Sequence, residues 1–359
     1  MKFEQIMPSA TTMADATLPT VAMDTEAGTQ YNVLHGYTSE LDSTLFYGNI
    51  TPVAKDRKLT VTINTYGEDI EGVAYKIRSL EDKSLIENTE VSDYDNAGSS
   101  INVTFNIKNL LDTGKEYALE IVLKTKKHEA VYYYTRIVYG VDYDLQKKLD
   151  FVMDFNACTF DDSRLKDIAG YLETSSSGDN TNYGKVNINC SLSQVGWGDL
   201  DPYVESDIIP EVISVDDDVA ILRLSYRVGA ANDYSSSDTY TVSEYYRIRQ
   251  TNSGFYLLNF EREMNQVFDA RNDLTSTAKI NLGINSSTDV NCASDEKGIY
   301  TYFVNQGSLW CFNSSSQTFT RVFSFKGEET DSVREGYDAH NIKICLLYTS
   351  PSPRDKRQS

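Results

Sequence analysis

The stretch LLDTGKEYALEIVL, Leu110–Leu123, decides the fold class of this chain. The polar turn DTGKE contains a glycine, and the run YALEIVLKT after it has the two-residue hydrophobic period of a strand. The sequence therefore predicts a β-strand that begins near Tyr117 and follows a tight turn.

The same pattern recurs on both sides of this stretch. In KLTVTINTYG, residues Leu59, Val61 and Ile63 fall on one face of a strand, and GVAYKIRSL and SINVTFNIKNL repeat the period. Acidic or glycine-containing turns such as YGED and DYDNAGSS separate these runs. About five to seven short strands between residues 36 and 140 predict an antiparallel sandwich, whose tyrosine runs fill sheet faces that are wet on one side.

One local motif sharpens this prediction. Leu110 or Leu111, Gly114 and Tyr117 form the pattern L-x-x-G-x-x-Y. It resembles the segment that carries the tyrosine corner of fibronectin type III and immunoglobulin-like domains. The resemblance implies an Ig-like sandwich over residues 36–140. The alternative is that Tyr117 merely begins a strand.

The regions that flank the predicted sandwich have a different character. Residues 1–35 are rich in Ala, Thr and Met without a sustained period, so we interpret them as a linker or arm. In DYDLQKKLDFVMDF the apolar residues Leu145, Leu149 and Val152 fall at helical spacing, and SRLKDIAGYLE repeats that signal. Residues 141–184 are therefore expected to form a helical connector and a loop.

From residue 185 the strand pattern returns, together with an internal repeat. EYYRIRQTNSGFYLLNFEREMNQVF and GIYTYFVNQGSLWCFNSSSQTFTRVF align, with Gly254 matching Gly307 and Phe268 matching Phe323. The segment ASDEKGIYTYFVNQGSLWCFNSSSQTFTRVFSF resembles one blade of the TolB-like and YWTD-like propellers of exported bacterial proteins. The resemblance implies a partial β-propeller over residues 185–344, in which Tyr337–Ile344 opens a further blade.

The last residues do not continue this pattern. CLLYTSPSPRD, from Cys345 onward, matches the translation of an adapter used in preparing sequencing libraries. We interpret residues 345–359 as a non-native tail. A gene model that ends in this way also predicts further native sequence, including a signal or anchor segment before Met1.

Composition excludes several classes of protein. The chain has 33 basic and 53 acidic residues and a net charge of −20, which disfavours binding to nucleic acid. Its five cysteines and three histidines form no zinc-binding or disulfide pattern. Nucleotide-binding glycine motifs and a nucleophile elbow are also missing from the sequence.

Two acidic stretches are candidate sites. GWGDLDPYVESD combines Trp197 and Tyr203 with Asp199 and Asp201, and aromatic rings beside carboxylates are typical of a sugar-binding cleft. The alternative is a loop anchored by its tryptophan. The run Asp216-Asp217-Asp218 offers hard oxygen ligands for Ca²⁺, the one metal or cofactor that the sequence indicates, or it forms a solvated turn.

The sequence thus predicts a mostly β protein with an Ig-like sandwich, a helical connector and a partial β-propeller. It favours a non-enzymatic binding or scaffold protein of a bacterial cell surface or envelope, with a glycan or protein ligand. The alternatives are a carbohydrate-active hydrolase with carboxylates on propeller loops and a purely structural envelope component. The expected location is extracytoplasmic, with membrane contact only through the missing anchor, and the alternative is a cytoplasmic protein.

Overall fold

The fold is that of a computed structural model, which describes residues 11–12, 18–94, 98–140, 143–231, 237–270, 275–276, 279–282, 291–305, 307–324, 342 and 344. The helical elements are the α-helices α1 (Leu145–Thr159) and α2 (Leu192–Val195) and the 3-10 helices η1 (Ser43–Leu45) and η2 (Leu165–Tyr171). The strands are, in chain order, β1 (Thr11–Thr12), β2 (Thr20–Asp24), β3 (Gln30–His35), β4 (Ile50–Val53), β5 (Lys58–Asn64), β6 (Ile70–Ser79), β7 (Leu85–Val91), β8 (Ser100–Asn106), β9 (Glu116–Thr125), β10 (Val131–Tyr139), β11 (Lys185–Asn187), β12 (Tyr203–Val204), β13 (Glu211–Val215), β14 (Val219–Ala231), β15 (Ser237–Thr251), β16 (Gly254–Gln266), β17 (Thr275–Ser276), β18 (Lys279–Ile280), β19 (Cys292–Ser294), β20 (Tyr300–Asn305), β21 (Ser308–Asn313) and β22 (Thr318–Ser324). The protein is therefore mostly β, as predicted.

The chain divides into two compact units. The large unit consists of Thr17–Ser237 and Thr241–Met264, and the small unit of Met1–Ala16, Asp238–Tyr240 and Asn265–Ser359. The expected propeller region, 185–344, therefore contributes residues to both units. The expected domain limits stay predictions.

Two sheets of the large unit form the predicted sandwich. One has the strand order β3-β2-β5-β8 and the other the order β4-β10-β9-β6-β7, with β4 parallel to β10. Their inner faces meet where the Tyr75 ring of β6 stacks on the Phe105 ring of β8, with centroids 4.8 Å apart. Apolar residues at alternate positions of the strands, such as Val61 and Ile63, are buried, which explains why the period-2 signal was visible in the sequence.

The sandwich begins earlier in the chain than expected. Residues 1–35 were predicted to be a linker or arm, but β2 and β3 lie within this segment and β2 is central in its sheet. Val21, Ala22 and Met23 are all fully buried. A strand that is covered on both faces lacks the alternation of apolar and polar residues, so its pattern was missed.

The tyrosine corner is present in the structure. Tyr117 at the start of β9 is buried, and its hydroxyl accepts a hydrogen bond of 2.8 Å from the backbone N–H of Asp112. Gly114 in the intervening turn has a φ of +75°, which glycine adopts without steric cost. The side chain of Tyr117 therefore fixes the turn that precedes its own strand.

The second half of the large unit is a helix packed on a sheet. The strand order is β11-β16-β15-β14-β12, with β13 also paired to β14. Phe155 of α1 lies 5.7 Å from the ring of Tyr246 and 5.4 Å from that of Phe260. The predicted helices exist near the expected positions, and α1 covers one face of this sheet.

Polar side chains join the sandwich to the sheet that follows it. The Asn32 side chain donates to Ile50 O at 2.9 Å and accepts from Val212 N at 2.7 Å. Arg136 of β10 donates to Ile213 O at 3.3 Å. Because these bonds involve both parts of the chain, the sandwich and the sheet form one compact unit.

The small unit contains the strands that the sequence assigned to a blade. β19, β20, β21 and β22 form an antiparallel meander in that order, and β1 pairs parallel to β22. Its core contains Phe268, Phe303, Trp310 and Phe319, with the rings of Phe268 and Trp310 4.9 Å apart. A ring of blades stays a prediction.

The internal repeat extends only over its hairpins. β15–β16 and β20–β21 are both hairpins, and Gly254 and Gly307 have φ values of +130° and +73°. After the hairpin the two copies differ, because Phe268 lies beyond the long strand β16 whereas Phe323 lies inside the separate strand β22. The predicted opening of a further blade, Tyr337–Ile344, falls outside the described residues except for Ile342 and Ile344, and the tail 345–359 falls outside them entirely.

In the described ranges, no helix has both the length and the apolar character that crossing a membrane requires.

Candidate functional site

The predicted sugar-binding cleft does not form around Trp197. This side chain is 1% exposed, and its ring Nε1–H donates to Thr159 Oγ1 at 3.3 Å. The guanidinium of Arg262 covers one face of the indole. Trp197 therefore anchors its loop inside the large unit and presents no ring face to a ligand, which corrects the interpretation that placed it in a binding surface.

The other three residues of that prediction are exposed. Asp199, Asp201 and Tyr203 lie between α2 and β13, and Asp201 has a φ of +45°. Tyr203 pairs with Gly229 across β12 and β14, and a Cβ atom on Gly229 would lie 2.4 Å from the tyrosine ring. A binding role for these three side chains stays a prediction, now without the tryptophan.

The run Asp216-Asp217-Asp218 forms the turn of the β13–β14 hairpin. All three residues are exposed, and Asp216 N donates to Val219 O at 2.7 Å. The backbone carbonyls of Asp216 and Asp217 accept hydrogen bonds of 2.6 and 3.0 Å from Lys148 Nζ. An ammonium group thus occupies backbone oxygens that a hard cation would also use. Within the described residues, no group of three or more His, Cys, Asp or Glu side chains is arranged to hold a metal.

Lys148 itself is fully buried on the first turns of α1. Burial lowers the pKa of its ammonium, and the negative charges of Asp144 and the Asp216–Asp218 turn partly oppose that change. The lysine therefore connects the start of α1 to the β13–β14 turn.

A buried polar network lies beneath α1. Glu244 of β15 is fully buried, and its carboxylate accepts hydrogen bonds from Tyr226 at 3.0 Å, Tyr246 at 2.7 Å and the Asn156 side chain at 2.8 Å. Burial and the adjacent carboxylate raise the pKa values of both tyrosines well above the ordinary 10. Three donors satisfy the charge that burial would otherwise penalise.

Arg262 completes this network from β16. Its guanidinium donates to Val195 O at 2.8 Å and Gln194 O at 3.0 Å, and Nη1 lies 3.9 Å from Glu244 Oε1. Burial lowers the pKa of Arg262, and the charge of Glu244 opposes that effect. A general acid or base must reach its substrate, whereas these groups are enclosed by one another, so the network serves packing and position.

A second cluster lies at the surface, on the outer face of the sandwich sheet β4-β10-β9-β6-β7. We name residues 37–47 the platform loop. Its Phe46 ring stacks on Tyr134 of β10 with centroids 4.5 Å apart, and Leu41 N donates to the Tyr134 hydroxyl at 2.7 Å. Tyr37 exchanges two backbone hydrogen bonds of 2.9 Å with Tyr132. The loop is therefore held along β10 by aromatic packing and backbone bonds.

Ion pairs hold the other side of the platform loop. Lys76 of β6 lies 3.0 Å from Glu40 of the loop and 2.7 Å from the buried Glu120 of β9. Asp42 lies 2.7 Å from Lys83 and caps η1 by accepting from Thr44 N at 3.1 Å. Aromatic packing, backbone hydrogen bonds and ion pairs thus fix a short loop whose own sequence is rich in polar residues.

Electrostatics keep Lys76 and Asp42 charged over a wide pH range. Burial acts against the ammonium of Lys76, but the bonds to Glu120 and Glu40 outweigh it and raise the pKa. The hydrogen bond from Lys83, with those from Thr44, lowers the pKa of Asp42 to about 2. Because the pKa of Asp42 is depressed, its contribution is present above the unfolded value of 3.8 and is lost only as the pH falls through about 2.

The platform loop presents apolar side chains to solvent. Leu45 is 66% exposed and Tyr47 is 61% exposed, and Leu41 is also exposed. Arg136 lies over the Tyr47 ring at 5.5 Å and donates to Tyr47 O at 3.4 Å. The result is a pre-formed surface in which aliphatic and aromatic side chains project from a fixed backbone.

Few features of the sequence point to either cluster. A helix cap was readable in Asp42-Ser43-Thr44, and the run Tyr132–Tyr134 was correctly expected to lie on a sheet. The hydrogen-bond partners of Lys76 lie at positions 40 and 120, and those of Glu244 lie at positions 156, 226 and 246. Such distant partners have no local sequence motif.

Comparison of the chain with models of known protein families gives no match, and comparison with curated proteins also gives none.

Proposed function

We propose that this chain is a non-enzymatic binding or scaffold protein of a bacterial cell surface or envelope, and that the platform loop is its binding surface. The observation that carries the proposal is the exposure of Leu45 and Tyr47 on a loop fixed by both ion pairs and aromatic packing. A surface that is already ordered loses little conformational entropy when it binds.

The chemistry of the platform loop favours a protein ligand over a glycan. Leucine side chains such as Leu41 and Leu45 offer no ring for stacking on a sugar, but they bury well against apolar side chains of a protein. Tyr47 and its neighbour Arg136 are residue types that dominate binding energy in protein interfaces. The ligand is therefore a protein segment with an apolar anchor.

The buried clusters support the non-enzymatic part of the proposal. Glu244, Arg262 and Lys148 have the charges that catalysis often uses, but each is fully buried and bonded to its own surroundings. Trp197 is likewise used for packing. The exposed surface, not these interior groups, is available for recognition.

The experiment is a selection of displayed random peptides against the full chain, followed by measurement of the dissociation constants of the enriched peptides. The double variant Leu45→Asp, Tyr47→Asp removes the apolar surface without touching a buried residue. Leu110→Asp is the matched control, because Leu110 is 55% exposed and lies in the turn before β9. We expect enriched peptides to bind the wild type and the control equally and to bind the double variant at least about tenfold more weakly.

Two results would contradict this function. Release of sugar products from polysaccharides by the purified chain would favour the hydrolase alternative. Peptide binding that the double variant leaves unchanged would show that the binding surface lies elsewhere on the chain.

The proposed location is tested separately with antibodies on intact cells of the source bacterium, where access to the protein is expected without permeabilisation.

A further inference from the structure

The edges of the sandwich differ in how they are protected. At the edges of its two sheets, β4 contains Pro52, β7 carries Glu87 and Glu90, and β3 donates from Asn32 N to Pro210 O. A proline in the strand, charged side chains and a neighbouring backbone segment that already uses the edge donors each discourage the addition of another strand. Protection of this kind is expected at every exposed edge of a monomeric protein.

The remaining edge, β8, has none of these features. Its sequence SINVTFN contains no proline and no charged residue, and it runs for 7 residues. In the described part of the chain it pairs only with β5. A long, uncharged and β-branched edge strand is a template for pairing with another strand.

The register of β5 and β8 shows which backbone groups face outward. Ile107 N donates to Arg57 O at 2.9 Å, and Thr65 N donates to Ser99 O at 2.9 Å. Hydrogen-bonded pairs alternate along an antiparallel ladder, so Ile101, Val103 and Phe105 direct their N–H and C=O groups toward β5.

It follows that the backbone groups of Asn102 and Thr104 point to the free edge. No described residue outside β5 bonds to the backbone of either one. Their side chains bond within the sheet, Asn102 with Thr62 at 2.8 Å and Thr104 with Thr60 at 3.1 Å. The outward N–H and C=O groups are therefore available to a partner strand.

We propose that β8 pairs with β8 of a second copy of this chain, antiparallel, across a two-fold axis through Val103. In this register Asn102 of one copy lies opposite Thr104 of the other, and both exchange their outward N–H and C=O groups. Ser100 lies opposite Asn106, whose backbone carbonyl already accepts a hydrogen bond of 3.1 Å from the Tyr75 hydroxyl, so the Asn102–Thr104 pairs carry the contact. The pairing is closed, because each copy uses the same edge and leaves no second edge of this type.

Charge and packing agree with a second copy as the occupant. The paired residues Ser, Asn and Thr carry no charge, so the two copies meet without repulsion along the strand. Ile101, Val103 and Phe105 remain in the core of their own sandwich.

The test is sedimentation equilibrium of the full chain from low micromolar concentration to about 100 µM, since a strand-pair interface is smaller than a standard protein interface. We expect a reversible equilibrium between monomer and dimer. The double variant Asn102→Lys, Thr104→Lys places lysine opposite lysine and should raise the dissociation constant at least about tenfold. The control, Asn88→Lys with Glu90→Lys on β7, shifts the net charge in the same direction by one unit more and should leave the dissociation constant unchanged.

A charge-reversed partner separates the interface from a folding defect. Mixing the double-lysine variant with the variant Asn102→Glu, Thr104→Glu should restore a heterodimer, because opposite charges then face each other in every pair. A wild type that remains monomeric throughout, a mass that rises without limit, or a dimer that the lysine variant does not weaken would each overturn the proposal.

Discussion

The guanidinium carbon of Arg262 lies 3.4 Å from the centroid of the Trp197 ring, and both side chains are buried. The arginine uses its two terminal nitrogens on Val195 O and Gln194 O, which belong to the segment immediately before Trp197. One side chain of β16 thus holds both the backbone and the ring of the α2 segment. The planar shape of the guanidinium is what allows the two kinds of contact at once.

Arg262→Lys should therefore be strongly destabilising. A lysine keeps the charge but cannot stack its head on the indole while it donates to two carbonyls in a fixed fork. We expect the free energy of unfolding of the large unit to fall by about 3 kcal/mol, because at least one buried carbonyl loses its donor and the indole loses the stacked guanidinium. Urea unfolding followed by tryptophan fluorescence in a Trp310→Phe background measures it, because the chain contains 2 Trp residues and Trp197 then reports alone. An unchanged midpoint would show that the stacking contributes nothing.

High pH should unfold the large unit. Burial raises the pKa values of Tyr226 and Tyr246 well above 10 in the folded state. Above pH 10 the unfolded chain therefore releases phenolic protons that the folded chain retains, so the free energy of unfolding falls as the pH rises. Absorbance of ionised tyrosine should increase cooperatively with loss of circular dichroism. Reversible titration of all tyrosines near pH 10 in the folded protein would contradict this.

Lys148→Met tests the connection between α1 and the Asp216–Asp218 turn. Methionine fills a similar volume but leaves the carbonyls of Asp216 and Asp217 without their donor, and we expect a loss of about 1–2 kcal/mol. Burial lowers the pKa of Lys148, so between that lowered value and 10.5 the unfolded chain binds the proton that the folded chain does not. The stability of the wild type relative to the variant should increase with pH across this interval. Urea unfolding of both proteins at several alkaline pH values measures the difference, and a constant difference would count against a buried, titrating lysine.

The sequence was most informative where one face of a strand is wet. The alternation in β5 and β8 predicted strands that the structure contains, and the spacing around Gly114 and Tyr117 predicted the tyrosine corner. In these places the local pattern and the final environment agree. Signals of this kind depend on residues a few positions apart, which a single sequence displays directly.

The interior sites could not be predicted, because the residues that contact one another there lie far apart in the sequence. Trp197 lies in a segment whose polar residues suggested a surface loop, and only the folded chain brings Arg262, from 65 positions later, onto its ring. The acidic turn at Asp216–Asp218 offers possible metal ligands in the sequence, and only the structure shows that Lys148 donates to its carbonyls. Long-range pairing of charged groups determines the role of these residues, and composition cannot reveal it.

The strands that were taken for a linker give a direct test of the sandwich. A fragment of residues 36–140 lacks β2 and β3, so it leaves β5 and β8 as a two-stranded remnant of the four-stranded sheet. Such a remnant is marginal in water. We expect the fragment to show no cooperative thermal unfolding, whereas residues 18–140 restore the sheet and should unfold cooperatively. Equal behaviour of the two fragments would mean that β2 is dispensable for the fold.

Tyr117→Phe removes a single hydroxyl from the corner that precedes β9. The variant keeps the buried ring and loses only the 2.8 Å hydrogen bond that Asp112 N donates to the hydroxyl. We expect the free energy of unfolding to fall by about 1 kcal/mol. Tyr256→Phe is the matched control, since Tyr256 is 54% exposed on β16 and its hydroxyl should contribute little. Amide hydrogen exchange locates the effect, because faster exchange should be confined to Asp112 and the turn that follows it. If both variants unfold at the same urea concentration as the wild type, the corner is a feature of geometry and contributes no measurable stability.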